Sequence, residues 1–217
     1  MPFLFKPPIE KNNRPKTGYH HENDISDKDE KMEIKNYTLS AFNNYAADGV
    51  AEALSDVIPL GKTPMFICIG SDLVLGDSLG PLVGTLLKKR SVSAYVYGTL
   101  NLPITAKEVE YAKTYLKQMH PSSVAVAIDA AVGSDDDVGL IKVVSRGLKP
   151  GLGVDKNLGL IGDLSIIGVV AAKSVKNYNL YNLTRLNLIY KMAEKITDGI
   201  ESFINGRFGC DKIKTNA

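Results

Sequence analysis

Three stretches of the chain deliver aspartates where apolar runs give way to turns. Asp72 and Asp77 follow the run Met65–Ile69, Asp129 directly follows Ser123–Ile128, and Asp163 closes a glycine-rich loop. Two carboxyls held close together cannot both ionise freely, so one keeps a proton while the other serves as a base. Such a pair can activate a water molecule and protonate a leaving group, the chemistry of peptide hydrolysis. Asp77 and Asp129 form the natural pair, with Asp72, Ser78, Thr99 and Asp163 as supporting or substrate-binding residues. Each residue also has a plain structural use: Asp77 or Ser78 can cap the helix that follows, and Asp129 or Asp163 can cap a turn.

The elements that must position these residues follow from hydrophobic periodicity. Met65–Ile69 is a continuous apolar run between Pro64 and Gly70, the pattern of a strand buried on both faces. Leu79, Leu82, Val83, Leu86 and Leu87 recur at helical spacing, with Pro81 in the first turn where a missing N–H costs little. Ala94–Thr99 reads as a strand. Thr105 and Glu108 have capping-box spacing ahead of a helix that carries Val109, Ala112, Leu116 and Met119. Ser123–Ile128, Gly139–Val144 and Ile166–Ala172 complete the predicted strands. A helix is predicted over Tyr37–Val57. A second, long one has Leu186, Ile189, Ala193, Ile196, Ile200 and Phe203 on its core face and stops at Asn205-Gly206. Buried strands alternating with amphipathic helices specify a three-layer α/β/α domain on a mostly parallel sheet. Ligands of such folds bind beyond the carboxyl ends of the strands, which selects the aspartates above.

Residues 1–36 are polar and aperiodic and are expected to be disordered or loosely docked; 37–208 form one α/β domain, and 209–217 a C-terminal tail. With 217 residues and a formal charge of +2, the chain has no electrostatic footprint for nucleic acid or an anionic membrane surface. No apolar run is long enough to span a bilayer, and no signal-peptide core follows Met1, so a cytoplasmic location is expected. Cys68 and Cys210 lack metal or disulfide spacing.

Other motifs lead nowhere in particular. His20-His21 has no further ligand near it, and Asp135–Asp137 lacks the glutamate that a calcium loop requires. The glycine-rich loop 147–162 has neither a dinucleotide fingerprint nor a Walker lysine, and the chain has no nucleophile elbow. His120 ends a helix before Pro121, where a surface role suits it. No metal and no cofactor are expected.

Longer strings carry a resemblance. Gly76-Asp77-Ser78-Leu79-Gly80-Pro81-Leu82-Val83-Gly84, Tyr97-Gly98-Thr99-Leu100 and Ile128-Asp129-Ala130 resemble the YyaC family of bacterial sporulation proteins. So do Leu148–Val154, Ile161-Gly162-Asp163 and Asn182–Leu188, in order over roughly residues 60 to 200. That family is similar in fold to germination protease and, more distantly, to hydrogenase maturation proteases. The resemblance implies a phosphorylase/hydrolase-like α/β/α fold. It also implies an atypical aspartic peptidase in which Asp77 and Asp129 are catalytic, matched by the strings Asp77-Ser78-Leu79-Gly80-Pro81 and Ile128-Asp129-Ala130. No histidine follows Asp129, so the nickel site of the maturation proteases has no third ligand here. Leu73-Val74-Leu75 and Asn101-Leu102 give this chain a more apolar site rim than its relatives have.

The expected function is therefore that of a sporulation-associated peptidase acting on a protein or peptide, small acid-soluble spore proteins being the substrate the resemblance suggests. The alternative is a non-catalytic sporulation factor that uses the same fold as a protein-binding platform. Whether the chain acts singly or as a homo-oligomer is left open.

Overall fold

The computed structural model describes residues 33–150, 159–173 and 184–208. The expectations for the two tails, apart from residues 33–36, lie outside the described residues, as do positions 151–158 of the glycine-rich loop and Asn182-Leu183.

Among the described residues, six strands and four α-helices follow one another. They are β1 (Asn36–Ser40), α1 (Ala46–Val57), β2 (Pro64–Cys68), α2 (Leu79–Lys89), β3 (Tyr95–Tyr97) and α3 (Val109–Met119), then β4 (Val124–Gly133), β5 (Leu140–Val144), β6 (Leu164–Ala172) and α4 (Leu186–Phe208). The strands form one sheet in the order β1-β5-β6-β4-β2-β3. The pairs β3/β2, β2/β4 and β4/β6 are parallel, while β5 runs antiparallel to both β6 and β1. The sheet is thus mostly parallel, as the alternation of strands and helices requires.

Strand alternation divides the core into two. Phe66, Cys68, Val126, Ile128 and Ile166 face α1, α2 and α4. Met65, Ile67, Ile69, Ala125 and Ala127 face α3, whose Val109, Ala112 and Leu116 are buried against them. Helices therefore lie on both faces, giving three layers. On the crowded face α4 meets α1 closely: a Cβ on Gly199 would lie 2.6 Å from Val50 Cβ. Arg90, at the end of α2, donates to Asp198 and Glu201 of α4 at 2.6 and 2.8 Å.

Several boundaries differ from the sequence reading. The predicted helix over Tyr37–Val57 is two elements. Tyr37 and Leu39 alternate as a strand, pack on the core and pair in register with Val143 and Ile141 of β5; only residues from Ala46 onward are helical. The β-favouring triplet Tyr37-Thr38-Leu39 outweighs a helical spacing that happens to continue through it. β4 does not stop at Ile128 but runs to Gly133, because β6 continues beside it. In α4, Leu186 is 61% exposed rather than part of the core, and the helix runs through Asn205-Gly206 to Phe208. Gly206 keeps a negative φ and so supplies no left-handed stop.

Thr105 and Glu108 do interact, one turn before α3. The Glu108 carboxylate accepts the Thr105 N–H at 3.1 Å and also its hydroxyl, which holds that carboxyl below its usual range.

Candidate active site

The site is built at the carboxyl end of β2 and its two neighbours. The last register pair between β2 and β4 is Cys68 with Ile128. The chain leaves β2 through Ile69 and Gly70, and loops through Asp72 into the 3₁₀ turn Leu75–Asp77, which enters α2. Main-chain hydrogen bonds from Ser71 N–H to Asp77 O (3.0 Å), and from Asp77 N–H to Val74 O (2.9 Å), close this loop on itself.

Glycines allow the loop and α2 to lie directly on strand backbone. A Cβ on Gly70, whose φ is +138°, would sit 2.0 Å from Asp77 O; one on Gly80 would sit 2.1 Å from Ile69 O. Gly84 and Gly98 continue the contact, at 1.9 Å from Gly98 O and Cys68 O respectively. No side chain longer than hydrogen fits at these positions. Gly80 and Gly84 of the string Gly76–Gly84 therefore have a packing cause: they bring the start of α2, with Asp77 just before it, down onto the strand ends.

Asp129 is the first residue of β4 beyond its last partner in β2, on the same face as Ala125 and Ala127. It is 8% exposed, and its Oδ1 accepts the N–H of Ala130 at 2.8 Å. Burial pushes its carboxyl well above the usual range, and the charge of Asp77 pushes it further. Asp77, less deeply buried, is raised to about 6, chiefly by desolvation, with hydrogen bonding from the Ser71 main chain pulling the other way. The repulsion between the two is felt at Asp129 for a simple reason. Asp77 ionises first, beside a neutral neighbour, and Asp129 must then ionise against an existing charge. Asp77 is thus the first of the pair to give up its proton and Asp129 the last.

The structure brings these two together and places the other named residues around them unevenly. Ser78 is buried, but its hydroxyl donates to Leu75 O at 2.7 Å, so it serves the 3₁₀ turn and makes no side-chain cap on α2. Asp72 is exposed on the loop. Thr99 follows β3 at the same end of the sheet, and its Oγ1 accepts Leu102 N–H at 3.1 Å to hold the 99–102 turn. Asp163 does not belong to this edge. It precedes β6, exchanges main-chain and side-chain hydrogen bonds with Ala125 near the start of β4, and so lies about 13 Å along the strand from Asp129. The direction of β6, parallel to β4, puts the loop before it at the amino end.

One supporting residue was not selected from the sequence. Thr85 on α2 accepts the N–H of Leu100 at 2.9 Å while its hydroxyl donates to Pro81 O at 2.8 Å, tying the 99–102 turn to the helix. A threonine within a helical run carries no signal of such a role. The rim is apolar, as Leu73 and Leu102 suggested: they are 88% and 75% exposed. Among the described residues no three His, Cys, Asp or Glu side chains converge as a metal site would need.

Fold and site together define an α/β/α protein with a buried, unequal pair of aspartates at the carboxyl edge of its sheet. The sequence model of the family described as protein of unknown function DUF1256 matches residues 38–199, and the chain belongs to that family. It is 38% identical over 141 residues to the uncharacterized protein YyaC of Bacillus subtilis strain 168, a match covering 64% of this chain and 69% of that protein. The YyaC resemblance noted in the strings above is thereby established. Among the described residues no helix is long and apolar enough to cross a membrane.

Proposed function

We propose that the chain is a peptide-bond hydrolase in which Asp77 is the general base and Asp129 the general acid. The observation that carries this reading is the unequal pair: a carboxyl raised to about 6 beside a more deeply buried one that holds its proton against the first one's charge. Asp77 takes a proton from water as the water oxygen attacks the scissile carbonyl carbon. Asp129 donates its proton to the oxygen of that carbonyl; as the C–N bond then breaks, the proton held by Asp77 passes to the departing amine, and Asp129 takes back a hydroxyl proton as the carbonyl re-forms. The products are a carboxylic acid and an amine, and the pair returns to its starting state. A structural ion pair would favour two opposite charges, whereas two carboxyls confined together cost stability unless they do something else.

The apolar rim at Leu73 and Leu102 favours an unfolded protein substrate over a small polar one. Likeness to germination protease makes small acid-soluble spore proteins the first substrate to try, and the cytoplasm of a sporulating cell or the spore interior the place of action. The test is incubation of the purified full chain with such proteins beside the Asp77→Asn variant. Cleavage by the wild type alone supports the reading. Intact substrate with both proteins would overturn it.

A further inference from the structure

The face of α3 that points away from its tyrosines borders a trough far from the aspartate pair. Met65, Ile67 and Ala125 of β2 and β4 form its floor, Lys113 and Lys117 of α3 one wall, and Leu160 the other. The space measures about 410 Å³, within the range of ligand-binding clefts. Its floor is buried and apolar, while one wall carries two cations a single helical turn apart. Lys117 Nζ lies 3.8 Å from Asp163 Oδ2, and Lys113 reaches across so that a Cβ on Gly159 would lie 3.4 Å from its Nζ. Among the described residues that line it, two lysines against one carboxylate leave the trough with a net positive charge.

We propose that this trough binds a short acidic segment of extended peptide. Lysines at i and i+4 of a helix stand about 6 Å apart, close to the roughly 7 Å between alternate side chains of an extended strand. Carboxylates at alternate positions therefore meet Lys113 and Lys117, and the apolar residue between them faces Leu160. Asp163 opposes the ligand beside Lys117, and its main task is fixed by the hydrogen bond it accepts from Ala125 N–H at 2.9 Å. Binding here requires no chemistry at Asp77 or Asp129 and stands whether or not the chain hydrolyses peptides.

The test uses fluorescence anisotropy with a labelled, acetylated hexapeptide of alternating glutamate and leucine, on the full chain carrying Asp77→Asn so that cleavage cannot confuse the reading. The glutamate peptide binds, and its affinity falls about tenfold with Lys113→Glu plus Lys117→Glu and falls similarly when glutamine replaces glutamate. Asp163→Asn, which keeps the acceptor for Ala125, tightens binding about twofold. Absence of binding, equal binding of the glutamate and glutamine peptides, or indifference to the lysine changes would overturn the proposal. Lysine-dependent capture of a single-stranded oligonucleotide in preference to the peptide would overturn it in favour of phosphate.

Discussion

Asp129 sits on the first residue of β4 that has lost its partner in β2, and the loop that replaces that partner carries Asp77. One strand outrunning its neighbour thus brings together two carboxyls that are far apart in the chain. It also explains their inequality, since Asp129 belongs to the sheet and is buried with it, while Asp77 belongs to the loop and keeps part of its hydration.

If the pair acts with a single proton, the turnover rate follows a bell-shaped pH profile. Activity rises through about pH 6 as Asp77 ionises and falls at higher pH as Asp129 loses its proton. Asp129→Asn should lower kcat by about 10² to 10⁴ while leaving the far-ultraviolet circular dichroism unchanged. A wild-type profile that is flat between pH 5 and pH 8 would exclude the pair from the rate-limiting step.

Stability should respond to pH through the same two groups. Both carboxyls bind protons more tightly in the folded state than in the unfolded chain, so their contribution is full below about pH 4 and is lost as pH rises. Tm should therefore decline through pH 6 as Asp77 ionises and continue to decline as Asp129 follows. In Asp77→Asn the decline between about pH 4 and pH 6 becomes shallower, which thermal unfolding in a series of buffers will show.

The backbone contacts beneath α2 predict a sharp contrast among glycines. Gly80→Ala forces a Cβ against Ile69 O and should cost about 3 kcal/mol or more, since the atoms it meets are main chain and cannot swing aside. Gly98→Ala adds the strain of φ +86° to a contact just as close. Gly61→Ala also faces a positive φ, +77°, but meets nothing within 4 Å, and should cost only about 1 kcal/mol. Urea unfolding of the three variants separates close approach from conformation alone.

Arg90 joins α2 to α4 through two carboxylates on one helix face, Asp198 and Glu201. Arg90→Ala should cost about 1 kcal/mol, partly exposed pairs of this kind contributing little more. The loss should shrink in high salt. An equal loss at low and high salt would mean that the aliphatic stem of Arg90, rather than its charge, holds the helices together.

How far the sequence reaches is clearest element by element. The cores of β2, α2, α3, β4 and β6 were legible because their apolar spacing is a property of neighbouring residues along the chain, and burial on one face or both leaves a local pattern. Asp77 and Asp129 could be singled out because each follows a recognisable strand, and the carboxyl ends of parallel strands are where ligands bind. What residues 37–45 become depended on β5, whose free edge recruits Tyr37 and Leu39 as a strand. The position of Asp163 depended on the direction of β6, which no residue near Asp163 encodes. That Asp129 lies within β4 rather than at its end depended on how far β6 runs beside it. Periodicity is decided between residues a few positions apart, whereas strand direction, strand length and the meeting of two carboxyls are decided by partners distant in sequence, and only tertiary packing brings those partners together.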